Sequence, residues 1–188
     1  WNDRSIDVLM GTHPDIDHIG GLIDVLERFE ISNIIASENT GESQAASVYR
    51  RSIIEETDNL IYARAGQSIR LGASTTFKIL SPARDPSMLE SNTSSIVGQL
   101  RYGEIEFMLT GDAPKSIEDY LVSMHGDKLE SEVLKLGHHG SKTSTSELFL
   151  SKVSPHFAVV STAAGNSYGH PHEEVMDLVR EKTTEVFS

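Results

Sequence analysis

Thr12-His13-Pro14-Asp15-Ile16-Asp17-His18-Ile19-Gly20-Gly21 is the stretch on which the reading of this chain turns. It follows Ile6-Asp7-Val8-Leu9-Met10, apolar enough for a buried strand, and it precedes the helical spacing of Leu22 to Phe29. Two carboxylates and two imidazoles therefore stand on a turn from strand to helix. Unpaired charge beside a core is costly, and a divalent cation would compensate it. His13 and Asp15 can point one way while Asp17 and His18 reach round the turn. Neutral imidazole and carboxylate are the donors that zinc, manganese or iron accept. The plain alternative is a polar turn in which Asp17 caps the helix, since Asp before an apolar-periodic run is a good N-cap.

The chain has 188 residues, 38% of them apolar, a size and composition suited to one domain, 1–188, with a sizeable core. No apolar run approaches a membrane span, and no cleavable signal pattern opens the sequence. The absence of cysteine excludes disulfides and thiolate ligands, so any metal must use His, Asp, Glu or Asn. A net charge of −12 argues against a large basic groove for nucleic acid. The chain starts at Trp1, and Glu185-Val186-Phe187-Ser188 reads as a strand just beginning, so the sequence reads as a piece of a larger domain, incomplete at both ends.

Strands are expected at 31–36, 60–63, 67–71, 75–80, 96–102, 105–109, 133–136 and 157–161. Helices are expected at 43–57, 115–124, 144–153 and 173–182. Gly103-Glu104 makes a tight turn between two of the strands. This order fits a layered α/β sandwich better than a Rossmann sheet, and no glycine-rich nucleotide motif is present. The Arg50-Arg51 pair reads as a solvated helix face.

Two more strand ends carry polar chemistry. Thr110-Gly111-Asp112 closes an apolar strand; Asp112 reads either as a metal ligand or as the N-cap of the following helix. Leu136-Gly137-His138-His139-Gly140-Ser141 closes another, and two adjacent imidazoles there diverge, so at most one is expected to reach a given ion. Gly165-Asn166-Ser167-Tyr168-Gly169-His170-Pro171-His172 adds a third polar loop. His125 and His156 lack such surroundings and read as structural or solvent-exposed.

The turn resembles the metal-binding motif of the metallo-β-lactamase family, H-x-H-x-D-H, with Asp15 in place of its second His. Its Thr-His-Pro-Asp-x-Asp-His-Ile-Gly-Gly form is similar to the ComEC-like branch, the domain of bacterial DNA-uptake proteins and free-standing relatives. Asn92-Thr93-Ser94-Ser95, Thr110 to Asp112, Gly137 to Ser141 and Gly165 to His172 match in order. The resemblance implies an αββα sandwich and a dinuclear site of two divalent ions, manganese or zinc. It implies that His13, Asp15 and Asp112 hold one ion, while Asp17, His18, His138 and the shared Asp112 hold the other. Asn92 stands where many members carry a His, and with Asp15 it makes the first position oxygen-rich, which favours manganese or magnesium over zinc there. The implied activity is a metal-dependent phosphodiesterase or nuclease acting on DNA, in which Asp17 and a His170 general acid are catalytic. Asn92, His139, Ser141 and His172 would contact substrate. A small non-nucleic-acid substrate and a metal-free binding domain are the alternatives. DNA and other domains of a larger protein are the implied partners; the implied setting is a membrane-associated uptake protein or a free-standing cytoplasmic enzyme.

Overall fold

Ile34-Ile35-Ala36 is buried on both faces in the computed structural model, which describes residues 4–183 and 185–188. Trp1, with which the chain begins, lies outside them. Successive side chains of a strand point to opposite faces. Ile34 and Ala36 accordingly join one core and Ile35 another. That one strand, β4 (Ile34–Ala36), marks two of the interfaces of the fold.

On its outer side lie α1 (Ile16–Leu26) and α2 (Gln44–Glu56), which bury Ile19, Leu26, Ala46, Tyr49 and Ile53. β4 sits between β2 (Leu9–Gly11) and β5 (Leu60–Tyr62) in a parallel three-stranded sheet. On its inner side, Ile35 packs with Ala63, which follows β5, and with Phe77, Ile79 and Ile96 of the second sheet region. That sheet has seven strands, in spatial order 185–187, 157–159, 133–135, 105–109, 97–102, 75–81 and 68–70. A third core lies beyond it, where Leu121, Phe149, Leu150, Val175, Met176 and Val179 of three helices pack on Met108, Leu134 and Ala158. Helices, sheet, sheet, helices: the expected αββα sandwich is the fold.

The strand ends decide where chemistry can sit. β6 (Ser68–Arg70), β7 (Thr75–Ser81), β8 (Val97–Tyr102) and β9 (Ile105–Leu109) are antiparallel to one another in turn. β10 (Val133–Lys135), β11 (Phe157–Val159) and β12 (Glu185–Phe187) continue from β9 in parallel. The C-terminal ends of β9, β10 and β11 therefore open on one edge, and so does the N-terminal end of β8. The Ile96 N–H donates to the Thr12 carbonyl at 3.0 Å, tying that edge to the turn that begins at Thr12. Ligands of open α/β sheets bind outside such carboxyl ends.

Most expected elements stand, with informative differences. The apolar runs 6–10 and 31–36 each divide, because Ser5–Ile6 pairs with Glu30–Ile31 in a separate two-stranded sheet, β1 with β3. The helix expected at 144–153 begins only at Glu147, as α4 (Glu147–Val153). The delay has a cause in α3 (Lys115–His125): buried Glu118 accepts the N–H groups of Thr145 at 2.5 Å and Ser146 at 2.7 Å. Thr145 is held at φ +58, outside helical geometry. Leaving either buried donor unpaired would cost about 1–3 kcal/mol. The last helix, α5 (Glu173–Lys182), agrees with the expected span, and none of the described helices is long and apolar enough to cross a membrane.

Candidate metal centre

Neither carboxylate suspected of capping a helix does so. α1 is preceded by Asp15, which makes no side-chain capping bond, and Asp17 lies inside the first turn. α3 is preceded by Pro114, not Asp112. Both groups are free to face the edge where the strands end.

Asp112 is buried, and four imidazoles converge on it. The Nε2 atoms of His18, His139, His138 and His13 lie 3.1, 3.6, 3.7 and 3.9 Å from its oxygens. Asp17 Oδ2 lies 3.1 Å from His139 and 3.8 Å from His18, and Asp15 Oδ2 lies 3.7 Å from His13. One donor atom each from Asp17, His18, Asp112 and His139 falls within 4.8 Å of the others. Gly111 makes the approach possible: its φ is +53, and a Cβ there would stand 3.1 Å from that of Ser95. The hydroxyl of Ser95 accepts the Asp112 N–H at 3.1 Å, fixing the carboxylate's backbone.

The outward nitrogens show what the cluster lacks. His139 Nδ1 faces the Ser161 carbonyl at 2.7 Å, so it carries the proton and leaves Nε2 a bare lone pair. His138 Nδ1 faces the Thr143 hydroxyl at 2.9 Å, and that hydroxyl donates to Ser141 Oγ at 3.0 Å. The same logic bares His138 Nε2. Two lone pairs thus point at carboxylate oxygens, and His139 Nε2 stands 3.2 Å from His18 Nε2. Among the described residues, His13 Nε2 is buried without a hydrogen-bond partner, as is Asn92 Oδ1. Acceptors facing acceptors in a buried site are compensated by cations. The residues fit divalent metal.

Proton affinities follow the same geometry. Burial, with the charge of His18 beside it, lowers the His13 pKa to about 4. For His18 burial also opposes the charge, but its hydrogen bond to Asp112 and the charges of Asp112, Asp17 and Asp15 outweigh it, and its pKa is raised above 6.5. Asp112 is likewise buried, yet its bond with His18 and the neighbouring imidazoles hold it below the usual carboxylate range. A metal must therefore displace a proton from His18 and not from His13. Manganese or zinc binding is expected to release a proton near pH 6.5 and to weaken as pH falls through the raised His18 value. Calorimetric titration in buffers of different ionisation heat measures that proton; heats that do not vary with buffer would contradict it.

Each residue expected at the site lies at this edge, though not all in the expected manner. Both His138 and His139 adopt left-handed backbone, φ 48 and 54, and both reach Asp112 Oδ2 instead of diverging. It is His139, expected to contact substrate, that joins the tight four-donor group, while His138 stands just outside it. Ser141 is buried and accepts from Thr143, so it orients His138 and does not face a phosphate. His172 Nδ1 accepts the Lys142 N–H at 3.2 Å, which leaves its other nitrogen to donate. The His170 ring lies 5.5 Å from that of His138 and 4.9 Å from that of His172. Burial and the nearby His138, His172 and His139 lower its pKa. Gly140, at φ +78, lets these loops meet; a Cβ there would fall 2.6 Å from Pro171.

Sequence reasoning overlooked the hydroxyls around the ligands. Thr12 Oγ1 lies 3.0 Å from His13 Nδ1, Ser91 donates to Asp15 Oδ1 at 2.6 Å, and the Thr143 hydroxyl acts as described, as does the backbone carbonyl of Ser161. Thr12, which flanks His13, and Thr143, five residues after His138, lie close in the sequence to the rings they orient; Ser91 and Ser161 come from distant loops.

Residues 1–164 match the family model described as the metallo-beta-lactamase superfamily. The chain is 30% identical over 184 residues, 97% of its length, to ComE operon protein 3 of Bacillus subtilis strain 168. It is 41% identical over 104 residues, 55% of its length, to competence protein ComA of Neisseria gonorrhoeae. Over 174 residues, 92% of its length, it is 31% identical to recombination protein 2 of Haemophilus influenzae. The chain spans 23%, 15% and 20% of these relatives. Among solved structures, the diiron β-hydroxylase CmlA of Streptomyces venezuelae superposes with TM-score 0.61 at 13% identity, covering 98% of this chain and 44% of that one. The metallo-β-lactamase fold protein YhfI of Bacillus subtilis does so with TM-score 0.58 at 10% identity, covering 96% and 74%. These likenesses carry the fold.

Proposed function

We propose that this chain, which belongs to the metallo-β-lactamase superfamily, is a metal-dependent phosphodiesterase that cleaves DNA as a domain of a larger competence protein. One observation carries the metal chemistry: buried Asp112 is faced by bare imidazole nitrogens, and His13 Nε2 has no hydrogen-bond partner among the described residues. His13, Asp15 and Asp112 would hold one divalent ion. Asp17, His18, Asp112 and, by its geometry, His139 in place of His138 would hold a second. Bound ions of this kind supply Lewis acidity and make water nucleophilic at neutral pH.

The chain's own residues supply the rest. Asp112 would lend its charge to both ions, and the bond from its N–H to the Ser95 hydroxyl holds its backbone in place. The hydroxyls of Thr143 and Thr12 and the carbonyl of Ser161 keep ring orientations fixed, so that little reorganisation is required during reaction. His172 presents a donor nitrogen toward a phosphate oxygen, beside His170. The Asn92 carbonyl oxygen is an acceptor; it would repel a phosphate and suits a cation. With Asp15 it makes the first ion's surroundings oxygen-rich, which favours manganese over zinc there. The DNA assignment is supported by relatives named for competence and recombination.

The test uses the full chain, stripped of metal and reloaded in turn with manganese or zinc. Single-stranded DNA, duplex DNA and bis-nitrophenyl phosphate are offered beside a chromogenic β-lactam. DNA cleavage, faster with manganese, is expected. Absence of bound metal, or turnover of the lactam with none of the phosphodiesters, would overturn the reading.

A further inference from the structure

A net charge of −12 leaves the proposed nuclease short of cations with which to hold a polyanion. Affinity must then come from another part of the nucleotide. Every base has an aromatic face, and stacking on a protein ring does not depend on counterion release.

Tyr168 offers such a ring in the right place. It is 78% exposed, the most open aromatic side chain among the described residues with large exposed hydrophobic surface. One face is occupied: the ring lies nearly parallel to His170, with 5.7 Å between centroids and 22° between planes. The rest faces solvent. His170 in turn packs against His138, whose Nε2 lies 3.7 Å from Asp112. The tyrosine is thus two rings away from the metal carboxylate, a distance suited to the nucleotide beside the reacting one.

The loop holds it there. Asn166 Oδ1 accepts the Tyr168 N–H at 3.1 Å and the His170 N–H at 3.0 Å. Its Nδ2 donates to the His170 carbonyl at 2.5 Å and to the Thr162 hydroxyl at 3.2 Å. An apolar ring kept in water by a fully bonded turn serves no packing purpose.

We propose that Tyr168 is the platform on which an unpaired base next to the scissile phosphate stacks, so that the substrate is single-stranded nucleic acid; this rests on the phosphodiesterase reading of the same site. Bases of a duplex are already stacked on their neighbours and cannot take up the ring without being turned out. An unpaired strand has no such cost.

The experiment measures binding, separately from cleavage. The full chain with metal is titrated, by fluorescence anisotropy, with a labelled hydrolysis-resistant phosphorothioate oligothymidylate, with a strand of the same length carrying abasic residues, and with a duplex. The wild-type protein should prefer the base-bearing strand over the abasic one by roughly tenfold, equivalent to about 1.4 kcal/mol of stacking. It should bind the duplex more weakly than the base-bearing strand. In Tyr168→Ala the preference for bases should fall close to unity, while Tyr168→Phe should keep it. An unchanged preference in Tyr168→Ala, equal weakening on base-bearing and abasic strands, or equal binding of single strand and duplex would overturn the proposal. The cleavage assay above decides the phosphodiesterase reading independently: a protein that cuts DNA with no base preference refutes only the platform, and one that prefers unpaired bases but cuts no phosphodiester refutes only the enzyme.

Discussion

Asp112→Ala is expected to abolish metal binding at both positions and to lower turnover by roughly 10³-fold or more, the consequence of losing several kcal/mol of metal-supplied stabilisation. The carboxylate is the one anion that His13, His18, His138 and His139 all face. Without it, each proposed ion loses a ligand, and the imidazoles surround an uncharged gap. The change removes little packing, since the Ser95 hydroxyl still accepts the backbone N–H of residue 112. Metal content by mass spectrometry and thermal unfolding on one preparation check both halves. Retained metal with retained turnover would refute the shared-ligand assignment. The same measurement separates the neighbouring imidazoles: His139→Ala should lose metal, and His138→Ala should retain more of it, because only His139 stands in the tight group with Asp17 and His18.

His170→Ala is expected to reduce turnover roughly 10²-fold, the scale of removing one positioned donor from a reacting oxyanion. The sequence suggests a general acid here, but its surroundings work against a standing proton. Burial and the imidazoles of His138, His172 and His139 all lower its pKa, so the ring is largely neutral at pH 7. A neutral imidazole can donate a hydrogen bond to phosphate but cannot deliver the proton that an alkoxide leaving group needs. The loss should therefore be similar on DNA and on bis-nitrophenyl phosphate, with metal content unchanged. A large loss on DNA and little on the nitrophenyl substrate would restore the acid role.

Much of the fold was legible in local pattern. Helix formers and apolar spacing over 43–57 led to α2, and the structure adds its N-cap, Ser43, whose side chain accepts the Ala46 N–H at 3.0 Å. Glu173 to Lys182 was read to the residue. Such helices are set by short-range capping and periodicity. The misread start of α4 has the opposite origin, because the buried Glu118 that holds Thr145 and Ser146 comes from another helix. The division of residues 31–36 into β3 and β4 depends on which strand each half pairs with, and no local signal carries that.

The same boundary runs through the candidate site. The donors His13, Asp15, Asp17 and His18 crowd one turn, and their cost without a cation was evident before any fold was known. Asp112 and the His138-His139 pair were recognisable as polar groups ending apolar strands. Which ring turns toward Asp112 and Asp17 is fixed by contacts from other parts of the chain. With both residues in left-handed backbone, ring direction depends on the Ser161 carbonyl for His139 and the Thr143 hydroxyl for His138. Burial of the assembled site and the pile of imidazoles around His170 likewise exist only after four strand ends meet at one edge. Sequence by itself determined the donor chemistry, because donor types are properties of residues; tertiary structure decided their arrangement, because orientation, burial and proton affinity are properties of neighbours.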